Sequence, residues 1–536
     1  MRRILSAVRS AWVHPGHRFL VLVSLVYTGL FVVPHYSLLF QGDTTGLLNA
    51  VGLSWFATIG LFTLAAFSRW AFRVVVVALF LVSGATLYFL INYHVYLNEN
   101  VVAVLSESNI GEALGYVSLE LVLFVLGGAA VGLALVRWHA LLPVPRPAER
   151  AGWMLQLAVL YGVLAGVERA EAPGLFLTFS RTFHTTPPLS LIQKPALYLR
   201  EQHYLAELLS HRRNIAEEGV TAPAEPQTVV LVLGESARAD HFHINGYPRQ
   251  TTPNAEAWGM QTYRQVRACA NGTRLAIPCL MTRATPQTMD LARQETSLVT
   301  MFRTAGYRTD WISNQGFFWS RFRRTKAGIS SIYAIALEAE HTVFNNPSGD
   351  SDDLTIYDEE LLPELDRALA GPESLGLVVL HTVGSHWHCD AHYPPSFARW
   401  TPLCSKRNPR RCAPGEYLNS YDNSLRYTDY FLGQVMERLK GRNALLLYVS
   451  DHGAELGEHG VLTTTPMSGE EVMHVPLLVW MSDDFKRQHP DRAAALALRE
   501  RSPISHDWVL HSLLDCAGLA SPVIDPGLSL CRGEPR

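Results

Sequence analysis

The sequence predicts an α-helical membrane domain of five transmembrane helices, followed by an α/β domain whose mainly parallel sheet is covered by helices on both faces. Three observations carry this. The first third of the 536 residues is poor in charge and holds apolar stretches near 18–40, 46–67, 71–92, 115–136 and 152–168. Further on, apolar runs ending in polar residues alternate with helical patterns. All 7 cysteines fall in that later part, none before Cys269.

The first four stretches match the length a helix needs to cross a bilayer, and the fifth, shorter one makes the count odd. The first is too long, and too soon followed by others, for a cleaved signal peptide. Orientation follows from basic residues, which stay on the cytoplasmic side. Arg2, Arg3 and Arg9 precede the first span, Arg69 and Arg73 flank the second turn, and Arg137, Arg146 and Arg150 lie between spans four and five. Loops 41–45 and 93–114 hold no Lys or Arg. The amino terminus is therefore expected in the cytoplasm, and everything after about residue 170 on the outer side of the membrane. The expected division is a transmembrane domain over 1–168, a bridge over 169–225 and a catalytic domain over 226–536. In loop 93–114, Glu99, Glu107 and Glu112 read as solvated carboxylates. A sharper reading has Ser108 and Glu112 lining a path for a lipid headgroup that carries an amine. The bridge contains an amphipathic helix expected to start near Pro195 and reach Glu218. It lies at the membrane interface or against the soluble domain.

The soluble part opens on Thr228-Val-Val-Leu-Val-Leu-Gly-Glu-Ser-Ala-Arg238. An unalternating apolar run of this kind is a strand buried on both faces. Tyr307–Ser313, Leu375–Leu380, Ala444–Val449 and Val475–Trp480 read the same way, and Tyr421–Leu439 reads as a helix between them. Ligands of open α/β sheets bind beyond the carboxyl ends of strands. Glu235, His386, Asp451 and His452 gather there. Carboxylates and imidazoles from separate strands suit Zn²⁺, or Mn²⁺ or Mg²⁺. A net charge of −3 and the lack of a basic, aromatic patch argue against nucleic acid as a partner. The close pairs Cys269/Cys279 and Cys404/Cys412 lack zinc spacing and read as disulfide-closed loops of an oxidising compartment. The pairing of Cys389, Cys516 and Cys531 stays open.

Gly234-Glu-Ser-Ala-Arg238, Gly246-Tyr-Pro-Arg249, Cys269 through Cys279, Gly384-Ser-His386, Tyr421-Asp-Asn-Ser424, Ser450-Asp-His-Gly453 and His474-Val-Pro476 together resemble the phosphoethanolamine transferases of Gram-negative bacteria, within the alkaline phosphatase/sulfatase superfamily. The resemblance covers nearly the whole chain, and it implies that the outer side is the periplasmic side of a bacterial inner membrane. It implies Thr273 as nucleophile, five residues before Pro278 of Pro278-Cys279. It implies Glu235, Thr273, Asp451 and His452 as ligands of one or two zinc ions. His386 and His474 fall on the substrate side or at a second metal. It further implies phosphatidylethanolamine as donor, a phosphoethanolamine–threonine intermediate, and a lipopolysaccharide core sugar, lipid A or a periplasmic glycan as acceptor.

The chain departs from lipid A-modifying members in three places. No lysine stands in Ser351-Asp-Asp-Leu-Thr-Ile-Tyr-Asp358. Val461-Leu-Thr-Thr-Thr-Pro466 replaces a Leu-His-Gly-like segment, and Val104 occupies the place of an asparagine. Met281-Thr-Arg-Ala-Thr-Pro286 is closer to the core-sugar or glucan branch. The same motifs also admit a phosphoglycerol transferase or membrane-bound phosphodiesterase of the superfamily, or a non-catalytic membrane sensor or assembly protein.

Overall fold

The structure, a computed structural model, describes residues 10–31, 44–93, 102, 117–171, 188–315, 331–345, 356–371, 374–406, 411–458, 462–463 and 469–532. These residues fall into two compact units that part between Glu201 and Gln202.

The first unit is helical: α1 (Pro15–Phe31), α2 (Thr44–Ala66), α3 (Arg69–Tyr93), α4 (Leu119–Leu141) and α5 (Pro147–Glu171). Among the described residues, two of the five expected spans, Arg69–Asn92 and Leu119–Leu141, are long and apolar enough to cross a membrane, with mean hydropathies of 2.6 and 2.4. Also among the described residues, Pro15–Phe31 and the Ser54–Ala66 part of α2 are shorter apolar helical stretches. Polar side chains in this unit bond one another, as Tyr27 with Ser83 (2.6 Å) and Trp153 with Thr63 (3.0 Å). That is the arrangement hydrocarbon demands.

α3 and α4 pack backbone to backbone. A Cβ at Gly84 would strike the carbonyl of Phe124, and one at Gly128 the carbonyl of Phe80. Such close approach is how small residues associate helices in lipid. Gly128→Leu is therefore expected to force the pair apart at a cost of about 1–3 kcal/mol. A lowered melting temperature of the full chain in detergent checks this, and an unchanged one rejects it.

α6 (Leu189–Ser210) begins after Pro188, earlier than expected, and Pro195 lies inside it. Proline there removes the hydrogen bond to Leu191 but does not stop the helix. The helix also ends early: Asn214 caps a separate 3₁₀ turn, Ile215–Glu218, by accepting from the amide of Ala216.

The second unit is built on a seven-stranded sheet. Its strands are β1 (Thr228–Gly234), β2 (Gln261–Tyr263), β3 (Arg308–Ser313), β4 (His341–Phe344), β5 (Gly376–His381), β6 (Ala444–Ser450) and β7 (Leu477–Met481). The order is β2-β7-β6-β1-β5-β3-β4. β6, β1, β5, β3 and β4 are mutually parallel, whereas β7 runs antiparallel to β6 and β2. The sheet is thus mixed, and Val475–Trp480, expected among parallel strands, is a reversed one. An apolar run carries no mark of its direction.

Side chains of β1 alternate between two cores. Val229, Leu231 and Leu233 pack with residues of α7 (Thr273–Leu280), α8 (Leu298–Thr304) and, later in the chain, Trp508–Cys516. Val230 and Val232 pack with α9 (Leu362–Ala368) and α10 (Pro414–Leu439) on the other face. Each such fully buried aliphatic contributes about 1.5–3 kcal/mol. α10 starts before the expected Tyr421 because Pro414 fits a first turn and Glu416 accepts from the amide of Ala413 (2.9 Å).

Register then places the site. Leu233 lies opposite His381 of β5 and Val449 of β6, and Gly234 opposite Ser450. Glu235, Thr382 and Asp451 therefore leave three adjacent strands at one level. Disulfides join Cys269 to Cys279, Cys404 to Cys412 and Cys516 to Cys531, leaving Cys389 as a buried free thiol. Closing a loop of some fifteen residues contributes about 3 kcal/mol through the unfolded state.

Candidate active site and metal centre

At the carboxyl ends of β1 and β6, ligand atoms of Glu235, Asp451 and His452 lie within 4.8 Å of one another. All three residues are buried. Thr273 joins them as the first residue of α7. Its hydroxyl lies 3.0 Å from Glu235 Oε2 and 3.2 Å from His452 Nε2. The amino end of a helix favours anions through its dipole, so this position suits a phosphoryl group. The Cys269–Cys279 disulfide ties the approach to α7 to the helix itself.

The donor set fits a divalent cation. His452 Nδ1 lies 2.7 Å from the carbonyl of Gly453 and must donate to it, which leaves Nε2 unprotonated toward Glu235 and Asp451 in the neutral ring. Asp451 Oδ1 accepts from the amides of Ser236 (3.2 Å) and His452 (2.7 Å). Its Oδ2 is buried and accepts no hydrogen bond among the described residues. Burial, and then the charge of Glu235, hold the Asp451 carboxyl above the usual carboxylate range. At His452, burial favours the neutral ring, but the charges of Asp451 and Glu235 outweigh it and raise its pKa. Two buried carboxylates with an orphaned oxygen and an imidazole lone pair form a site that a cation neutralises.

A tight turn aims Glu235. Ser236 has φ +56°, a left-handed conformation unusual for any residue but glycine. Its hydroxyl bonds Glu235 Oε1 (2.5 Å), leaving Oε2 for Thr273 and for Gln315 Nε2 (3.3 Å). Tyr421 holds the turn: its hydroxyl donates to the Ser236 carbonyl (2.8 Å) and accepts from the Arg238 amide (2.9 Å). Gly384, at φ +53°, lets the loop after β5 close on this turn, because a Cβ there would lie 2.9 Å from the Glu235 carbonyl. Asp358 fixes that loop by accepting from the amides of Val383 and Gly384.

The residues expected on the substrate side or at a second metal, His386 and His474, lie outside this ligand group. His386 sits on this loop, its Nδ1 donating to the Trp387 carbonyl (2.9 Å), and contributes no atom to the ligand group. His474 turns its Nε2 to the carbonyl of Arg264 (2.8 Å), outside that group. Ser108 and Glu112 lie outside the described residues. Sequence reasoning missed Ser236, Tyr421 and Gln315 as supports. The first two lie inside quoted motifs, Gly234–Arg238 and Tyr421–Ser424, which was the available signal.

Sheet order, strand-end ligands and a threonine at a helix start define a class. Residues 227–519 match the sulfatase family model, and the chain belongs to that family. Within it, the chain is an EptA/EptB-like phosphoethanolamine transferase: residues 55–199 match the model described as phosphoethanolamine transferase EptA/EptB. Kdo(2)-lipid A phosphoethanolamine 7''-transferase of Escherichia coli strain K12 is 26% identical over 492 residues, spanning 86% of this chain and 84% of that one. The integral membrane lipooligosaccharide phosphoethanolamine transferase A of Neisseria meningitidis shares the fold at TM-score 0.77 and 21% identity, over 96% of this chain and 98% of that one. The periplasmic domain of EcEptC from Escherichia coli, solved in complex with Zn, matches at TM-score 0.52 and 25% identity, over 59% of this chain and 90% of that one.

Proposed function

We propose that this enzyme moves phosphoethanolamine from phosphatidylethanolamine to a lipopolysaccharide acceptor on the periplasmic side of the inner membrane, with Thr273 as nucleophile. The observation that carries the reading is the Thr273 hydroxyl seated between Glu235 Oε2 and His452 Nε2. Five spans with a cytoplasmic amino terminus would deliver the catalytic domain to that side. Support comes from the arginine pattern of the first third and from three disulfides in the later part. The transmembrane domain would run over 1–168, the bridge over 169–225 and the catalytic domain over 226–536.

Zn²⁺ is the cation we assign, held by Glu235, Thr273, Asp451 and His452. When bound, it would supply Lewis-acid stabilisation of phosphoryl charge and an acidified hydroxyl. The chain's own part is positional. Glu235 Oε2 accepts the Thr273 proton and orients the oxygen. α7 turns its amino end to the phosphorus-bearing group. The threonine oxygen bonds to phosphorus as the bond to the diacylglycerol oxygen breaks, and that oxygen leaves with the proton Glu235 took up. The acceptor oxygen then displaces threonine, and His386, on the loop after β5, is the residue we assign to take its proton. The acceptor we assign is a core sugar, lipid A or a periplasmic glycan, with Met281–Pro286 resembling the core-sugar or glucan branch.

Full-length protein incubated with phosphatidylethanolamine labelled in its headgroup tests the reading. The expected result is label on the Thr273 peptide, and a phosphoethanolamine mass increment on lipopolysaccharide only in cells carrying the protein. Label that reaches neither protein nor glycolipid rejects it.

A further inference from the structure

We infer that His506 is a positioning residue, a neutral imidazole strut that sets the distance between the nucleophile loop and the ligand-bearing end of β6. The inference rests on the reading of Thr273 as nucleophile. His506 is fully buried. Its Nδ1 lies 3.2 Å from the amide nitrogen of Cys269, and its Nε2 lies 3.0 Å from the carbonyl oxygen of Ser450. An amide can only donate and a carbonyl can only accept, so Nδ1 is bare and Nε2 carries the proton. That tautomer alone satisfies both contacts, and burial, by pushing the pKa down to about 4, keeps the ring neutral.

The two partners stand at the two halves of the site. Cys269 opens the disulfide-closed loop that runs into Thr273. Ser450 is the last residue of β6 and immediately precedes Asp451 and His452. The backbone of His506 is anchored independently. Its amide donates to the Arg267 carbonyl (3.1 Å), and Ile504–Ser505 pairs in parallel with Val266–Arg267. The ring is therefore held from behind while its two nitrogens grip opposite walls. The Ala268 amide, bonded to the Met473 carbonyl (2.7 Å), fixes the root of the loop. Among the described residues, the imidazole is the side chain that bridges the Cys269 amide directly to the strand end carrying the ligands.

Two variants of the full chain separate positioning from folding. His506→Phe keeps the buried ring and loses both hydrogen bonds. His506→Gln keeps one donor and one acceptor. A displacement near 1 Å costs about 10²-fold in rate, so the phenylalanine variant is expected to lose about that much kcat with KM for phosphatidylethanolamine unchanged. Zinc affinity by chelator competition should fall about 10-fold or more, since the strut orients the ligands. The glutamine variant should recover most of both. Wild-type kcat and zinc affinity in the phenylalanine variant overturn the inference. So does an equal loss in both variants accompanied by a lowered melting temperature or a broken Cys269–Cys279 bond. If the phenylalanine variant does not accumulate, the glutamine variant decides: near-wild-type kcat and zinc affinity support the strut, and a loss as large as that expected for phenylalanine overturns it. Absence of turnover in wild type sinks the nucleophile reading, and the zinc affinities still judge the strut.

Discussion

Thr273→Ala is expected to abolish transfer while leaving the protein folded. Alanine keeps the helix start, because Gly272 supplies the extended residue before α7 and the threonine hydroxyl is engaged with Glu235 and His452. What is lost is the oxygen 3.0 Å from Glu235 and 3.2 Å from His452. Removing the nucleophile of a covalent mechanism costs on the order of 10⁶ in kcat in a serine protease, and a loss between about 10⁴ and 10⁶ is expected here. Thr273→Ser is the informative partner. It retains the oxygen but frees χ1, which the β-branched methyl restricts. The serine variant should therefore still form the covalent intermediate, more slowly. Mass spectrometry of the quenched enzyme would show a phosphoethanolamine adduct on residue 273 in wild type and the serine variant, and none in the alanine variant. Wild-type turnover by the alanine variant would remove threonine from the mechanism altogether.

The contrast between what the sequence shows and what it hides has a physical basis. Glu235, Asp451 and His452 are legible because they follow apolar runs, and register in a parallel sheet brings adjacent strand ends level. Thr273 follows a two-residue strand, Val266–Arg267, and a short loop, neither of which leaves a periodic signal. The motif resemblance marks it, and no pattern does. Ser236 shows why turns resist such reading: its left-handed φ is imposed by Tyr421, 185 residues away. His506 has no local signal at all, since both its partners come from other elements of the fold. The reversed direction of β7 was illegible for the same reason. The strand's apolar pattern is identical either way, and the antiparallel pairing with β6 and β2 is a property of the fold.

Asp451→Asn should separate function from stability in opposite directions. The substitution keeps shape and, with its carbonyl oxygen at the Oδ1 position, keeps the acceptor for the amides of Ser236 and His452. It then places an amino group where Oδ2 now stands, the buried atom that accepts nothing among the described residues. That atom is the one a cation needs, so zinc affinity should drop by more than the roughly 10–100-fold lost with an outer partner, and transfer with it. In metal-free protein the argument reverses. A carboxylate that burial and Glu235 hold above its usual pKa is unfavourable when ionised, and replacing it with a neutral amide relieves that. The apo variant should be more stable than apo wild type, because the amide carries no charge for burial and Glu235 to disfavour. Zinc should then raise the melting temperature of wild type strongly and that of the variant hardly at all. Thermal melts of both proteins, with zinc and with chelator, give four temperatures whose order decides the matter. If the apo variant melts below apo wild type, Asp451 is a structural carboxylate, and the assignment of its Oδ2 to a metal fails.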